Sequence, residues 1–251
     1  MQKLLVLLLL ALSQSTAKAS IVNVLSPQVG QDADGWASNA KLSLQHLAGN
    51  ESKLAISVLA GTRWQYDGHQ VLLKASGDWG MASEAVYTKK AFAHLRYKQE
   101  LGDRWRAFSF VQIDNNEFRS ILMRDLAGVG VERLLVHTDT LEAAIAVGAM
   151  AELEWALDAP EPDPLTVRST NYLTLAWQPA ESLSLGSTTF FQPLVSDIED
   201  IRGFQQADLR VNLTESIAWS TTWKLEYDSR PASTEVQRWD SSIKSGLVVS
   251  W

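Results

Sequence analysis

Four histidines and no cysteine limit the chemistry that this 251-residue chain can host. Without thiols there is no disulfide scaffold, no thiolate nucleophile and no Cys-ligated zinc. A serine nucleophile needs a histidine base within reach, and that base needs an acid or amide to orient it. The His-any-Ser spacing of outer-membrane lipid hydrolases occurs at none of His46, His69, His94 and His137. If the first strand met the last, His46 would approach Asp240 and Ser241, so these three are the residues an acyl-acting site would use. A rim histidine beside polar loop residues is ordinarily a surface group, and no catalytic site is expected. Two acidic stretches, Asp158, Glu161, Asp163 and Asp197, Glu199, Asp200, hold the oxygen ligands a hard divalent cation would want. Solvated loop charge is the better reading of both, so neither metal nor cofactor is expected.

The remaining ionisable residues follow a two-residue rhythm, the mark of a strand with one apolar and one polar face. Leu42 and Leu44 alternate with Lys41, Ser43 and Gln45; Val71, Leu73 and Ala75 with Lys74, Ser76 and Asp78; Leu173, Leu175 and Trp177 with Arg168, Thr170, Tyr172 and Thr174. Along the whole chain the polar faces carry Lys41, Lys53, Arg63, Lys74, Arg96, Lys98, Arg106, Arg124, Arg168, Arg210, Lys224 and Lys244. They also carry Asp78, Asp114, Glu132, Glu142, Glu152, Glu154, Asp208, Glu226 and Asp228. Such a ladder of charge either lines a selective pore or pairs across strands to fill the interior. The similar numbers of the two signs favour pairing. Three segments are irregular. Trp105 to Asp114 puts Phe108 and Phe110 on the polar side, and Leu183 to Phe191 is rich in Ser and Thr. Ile121 to Val131 puts Asp125 on the apolar side, where a bulge near Asp125 or Gly128-Val129-Gly130 is the expected cause.

About twelve segments of this kind are present, and no apolar run after the first residues is long enough for a membrane-spanning helix. Met1-Gln2-Lys3, the apolar run Leu4–Leu12 and Ala17-Lys18-Ala19 have the form of an export signal cleaved after Ala19. The expected organisation is therefore a signal over 1–19 and one barrel over 20–251, opening with a short periplasmic extension over 20–35. Export without cysteine fits a Gram-negative envelope. The formal charge of −7, with no Lys/Arg-rich run, excludes a nucleic-acid partner.

Connections alternate as well. With a periplasmic N-terminus, tight turns fall at Gln65–Gln70, Gln99–Arg104, His137–Asp139, Gln178–Ser182 and Thr214–Ser216. Long outer loops are expected at Asp78–Thr88, Ala156–Thr166, Val195–Gly203 and Ser229–Trp239. Aromatic residues sort to strand ends: Trp36, Trp64, Tyr97, Trp105, Trp177, Trp219 and Trp251 at the periplasmic side, Trp79, Trp155, Phe191 and Tyr227 at the outer side. Two such girdles are what amphipathic rings form at bilayer interfaces. The fold expected is thus all-β, a transmembrane antiparallel up-and-down β-barrel of about twelve strands. A soluble periplasmic β-sandwich with a binding role shares the alternation but not the girdles.

Several stretches resemble the YdiY-like salt-induced outer-membrane protein family, a domain of unknown function. They are Gly49-Asn50, Arg124 with Gly128-Val129-Gly130-Val131, Glu226-Tyr227-Asp228 followed by Pro231, and Asp240 before Gly246-Leu247. The resemblance implies a single exported barrel linked to osmotic or salt stress, with no established activity. Such families usually end in Phe, whereas this chain ends in Trp251. The functional expectation is a non-enzymatic outer-membrane barrel, structural or a narrow small-solute or ion channel. The alternatives are a lipid-modifying barrel enzyme with a rim His base and the binding sandwich. Partners implied by the class are outer-membrane lipids and lipopolysaccharide, periplasmic chaperones and the barrel-assembly machinery, with homo-oligomerisation left open.

Overall fold

The computed structural model describes residues 25, 34–47, 53–83, 85–117, 121–157, 161–230 and 237–249. The signal over 1–19, Gly49-Asn50, Asp158 and Trp251 lie outside them. The period-two segments become β1 (Gly35–Leu47), β2 (Lys53–Tyr66), β3 (His69–Ala82), β4 (Ala85–Glu100), β5 (Trp105–Asn116) and β6 (Ile121–His137). The second half supplies β7 (Leu141–Ala156), β8 (Thr166–Ala180), β9 (Leu183–Leu194), β10 (Asp197–Asn212), β11 (Ile217–Asp228) and β12 (Trp239–Val249). All belong to one sheet in the order β1 to β12, each antiparallel to its neighbour in sequence. That is the up-and-down architecture expected of the alternation, and a single meander replaces the two packed sheets of a sandwich. The strands, 11 to 17 residues long, exceed the ~9–11 residues a tilted strand needs to cross a bilayer.

Paired residues share a face, so the register sorts the whole chain. Trp36 opposes Trp64 and Leu42 opposes Val58 on the outward side, and the same row continues through Val71, Tyr97 and Ser109. The β2–β3 turn follows from Asp67-Gly68, whose φ values of 47° and 73° are those of a two-residue type I′ hairpin. Two expected long loops are instead strand. Residues Asp78–Ala82 continue β3 against Lys53–Ser57 of β2, and Asp197–Gly203 belongs to β10. Their glycines and acidic residues look like loop chemistry, yet the first extension pairs backbone groups that would otherwise need water, and the second joins the ladder from Ile201 after a register shift that follows Asp197.

The sheet curls until distant strands face one another. Arg96 on β4 donates to the Tyr172 hydroxyl on β8 at 3.3 Å, and Arg202 on β10 reaches Glu152 on β7 at 2.7 Å. Lys74 on β3 lies within electrostatic reach of Asp208 on β10 and Lys224 on β11. The enclosed interior holds a buried cluster of Phe92, Phe108, Phe110, Tyr172, Phe190 and Phe204. Leu25, ahead of β1 in the stretch expected to be a periplasmic extension, is buried in the same cluster.

The bulge expected near Asp125 or Gly128 is absent. Ladders run without interruption from Met123 to Leu134 against β7, and the shifts lie at Ile121/Met123 and Leu134/Val136 instead. Asp125 and the two phenylalanines are genuine exceptions to the polarity pattern. Phe108 opposes Gly130 and Phe110 opposes Gly128, so the rings of β5 lie on backbone bared by glycine on β6 and β7. A Cβ at Gly130 would stand 2.4 Å from Phe108 and 2.6 Å from the Val147 carbonyl; one at Gly128 would stand 2.4 Å from Phe110. Neither space exists without moving a ring.

Gly130→Ala is expected to destabilise the sheet by about 1–3 kcal/mol through this overpacking, read as a lower urea midpoint for the heat-modifiable band. Gly77→Ala, whose Cβ would meet only the Lys90 carbonyl at 4.0 Å, should leave the midpoint unchanged.

Candidate functional site

The inward face concentrates charge in two clusters at opposite ends of the interior, with aromatic rings between. Near the β6–β7 turn, Glu132 is 1% exposed. Lys98 Nζ donates to its two carboxylate oxygens at 2.8 and 3.0 Å, the Tyr172 hydroxyl donates at 2.7 Å, and Arg106 Nη1 lies at 3.4 Å. Arg106 also reaches Glu142 at 3.5 Å. A buried carboxylate persists only when its lone pairs are taken up in this way.

Arg96 enters this cluster from above. Its guanidinium lies 4.9, 5.1 and 5.6 Å from the ring centroids of Phe108, Phe110 and Tyr172, a cation–π enclosure. Rings then succeed one another across the interior: His94 stacks between Phe92 and Phe110, Phe110 meets Phe108, Phe108 meets Tyr172, and Phe190 leads to Phe204. His94 Nδ1 bonds Gln112 at 3.1 Å.

At the far end, Glu152 receives three arginines. Arg202 Nη1 stands at 2.7 Å, Arg168 Nε at 3.1 Å and Arg124 Nη1 at 3.7 Å. Each arginine is anchored on a further acid. Arg124 forks onto Asp114 at 2.8 and 2.6 Å, Arg168 onto Asp200 at 3.1 Å, and Arg202 faces Asp228 at 3.8 Å. Planar guanidinium groups suit such shared, directional pairing better than lysine would.

Of the ladder residues, Arg96, Arg106 and Glu142 join the Glu132 cluster, and Arg124 and Arg168 the Glu152 cluster. Lys74, Asp208, Lys224 and Glu226 gather on the opposite wall, where Thr222 and Gln206 donate to Asp208. Arg210 bonds Asn212 at 3.1 Å near the strand end, and Arg63 occupies an inward position opposite Leu72. Lys41 is inward by register, opposite Leu59; its side chain lies outside the described residues. Arg202 goes unnoticed in the sequence and Asp200 reads as solvated loop charge, because their segment resembles a loop. The convergence on Tyr172 was hidden because β4, β6 and β8 are not neighbours in the sheet order.

The girdle positions among the described residues fall outward. Trp36 and Trp64 have ring centroids 6.4 Å apart, Tyr97 bonds His69 at 2.7 Å, and Arg133 lies over Trp105 at 5.4 Å. Trp177, Trp219, Phe191 and Tyr227 are exposed; Trp79 and Trp155 are half-buried. The acyl-site residues are not brought together among the described residues. His46 pairs with Leu54 on β2, Ser241 accepts the Trp223 indole N–H at 3.0 Å, and Asp240 pairs with Glu226. The acidic residues Asp197 and Glu199 face Arg230 at 2.6 and 3.9 Å.

The family model "Protein of unknown function, DUF481" matches residues 40–251, nearly all of the chain described above. The chain belongs to the DUF481 family. This is the family that contains the YdiY-like outer-membrane proteins, so the resemblance and the match agree. No curated protein matches the chain. Among solved structures, it is similar to one titled "NanC porin structure in rhombohedral crystal form" at 12% identity and TM-score 0.48, covering 86% of this chain and 99% of that one. It is also similar to a "Bacterial polysaccharide outer membrane secretin" at 10% identity and TM-score 0.47, covering 89% and 95%.

In this DUF481 member a buried charge cluster and an exposed ion pair predict unequal costs. Glu152→Gln leaves three buried guanidinium groups short of a counter-charge and should cost about 3–5 kcal/mol. Lys89→Ala breaks the exposed pair with Glu117 and should cost under ~1 kcal/mol. Denaturant midpoints of the folded, heat-modifiable species measure both.

Proposed function

We propose that this protein sits in the outer membrane of a Gram-negative envelope and acts as a narrow ion passage, without catalysing a reaction. The outward face supports a lipid setting. Val58, Val111, Val129, Val147, Leu173 and Ile243 are all exposed along it, and monomeric soluble proteins rarely expose contiguous apolar patches beyond a few hundred Å². Membership of a family with outer-membrane members agrees with this setting, as does the form of the leader sequence.

The observation that carries the passage reading is the uneven packing of the interior. Along β4 to β10 the wall is closed by stacked rings and buried ion pairs. Across from it, Lys224 and Lys244 are exposed and Lys74 is half-buried, with Lys224 in electrostatic reach of Lys90, Lys244, Glu226 and Asp208. Water and small ions can contact this lysine-rich strip, while the paired wall gives the lumen a fixed shape. Leu25 within the ring cluster narrows it further. A passage so lined favours small anions, because fixed cations raise the local anion concentration. A link to salt stress is proposed on the family resemblance. Lipids and lipopolysaccharide as surroundings, chaperones and the assembly machinery during biogenesis, and any self-association are proposed on the class of protein.

The mature chain, purified from outer membranes and placed in planar bilayers, should give discrete conductance steps with a reversal potential favouring chloride in a KCl gradient. Lys224→Ala with Lys244→Ala should move that potential toward zero by a measurable shift. Silence from correctly folded, heat-modifiable protein overturns the reading.

A further inference from the structure

Asp125 is a carboxylate on the outward face of the sheet, set among apolar neighbours. Its register fixes this orientation: Ile113 of β5 and Leu153 of β7 flank it directly, and both belong to the outward rows. No hydrogen bond or ion pair engages it among the described residues. A carboxylate in hydrocarbon without a donor is costly, so a donor must come from outside the chain.

A depression of about 480 Å³ lies beside it on β3 to β7, within the size range of ligand clefts. Ala127 and Ala151, directly paired, leave a low floor next to the Asp125–Leu153 row. Leu95, Ile113 and Leu165 form higher walls. Asp125 is the sole ionisable side chain that faces outward here; His94, which also borders the space, points inward between two phenylalanines. The shape suits a hydrocarbon chain, and the carboxylate suits a hydrogen-bond donor on that chain.

Depth narrows the choice. Met123 and Trp155 form the row beyond Asp125 and Leu153 toward the outer end, so Asp125 sits roughly 7 Å inside the Trp155 level, two strand residues deep. Charged headgroups lie above that level. The donors at that depth on a glycolipid are the amide N–H that joins an acyl chain to its sugar and the chain's own 3-hydroxyl. We propose that the groove seats one acyl chain of an outer-leaflet glycolipid, with its 3-hydroxyl or amide N–H donating to Asp125. The assignment rests on the outer-membrane reading and on the outer end of β6 facing the outer leaflet. An ester-linked phospholipid chain fills the same groove but offers no donor at that depth.

Native mass spectrometry of the full mature protein in mild detergent tests this, with lipid A and phosphatidylethanolamine titrated separately. The wild type should retain one lipid A about tenfold better than phosphatidylethanolamine, the size expected for one hydrogen bond to a charged group. Asp125→Leu should lower lipid A retention to the phosphatidylethanolamine level, while Asp125→Asn, which keeps an acceptor oxygen, should retain most of it. Equal retention of the two lipids, or unchanged retention in Asp125→Leu, overturns the proposal. A dimer that disappears in Asp125→Leu also overturns it, giving the groove to a second copy. Heat modifiability and membrane fractionation, followed in parallel, report on the outer-membrane reading separately.

Discussion

Glu132 and Glu152 are two carboxylates that could not remain charged where they are without cations supplied by other strands. Taking such a group out of water costs several kcal/mol, and only well-placed partners return it. Those partners come from β4, β5 and β8 for Glu132 and from β6, β8 and β10 for Glu152. The curl of the sheet and the pairing of its charges are therefore one constraint. A flatter sheet would separate Tyr172 from Lys98 and Arg202 from Glu152, and the acids would be buried alone.

The aromatic layer gives the clusters their separation. Phe108 and Phe110 approach the opposing backbone closely because Gly128, Gly130 and Gly148 present no side chain on the inward face. The close seat brings the Phe108 ring to 5.6 Å from Tyr172, which places that hydroxyl between Arg96 and Glu132. A backbone feature of β6 and β7 thus sets the position of a polar atom on β8.

Much of this was legible in the sequence. The two-residue alternation yields the strand count, the face of each residue and the sign of each interior charge, because a strand has only two faces. The tight turn within Gln65–Gln70 was equally plain. What alternation leaves open is which inward residues meet across the interior, since that depends on curvature and on strands far apart in sequence. Arg202 shows a second gap: glycine and acidic neighbours mimic a loop where a ladder continues. Asp125 and the Phe108–Phe110 pair show a third. They break the polarity rule, and a slip in register was the simplest account, whereas the ladders keep their register and the exceptions carry meaning of their own.

The spread of these contacts also bears on the order in which the sheet is made. Among the described residues, bonds between strands that are not adjacent in the sheet gather in β4 to β10. The middle of the chain can thus reach a nearly finished, self-supporting body before its margins are in place.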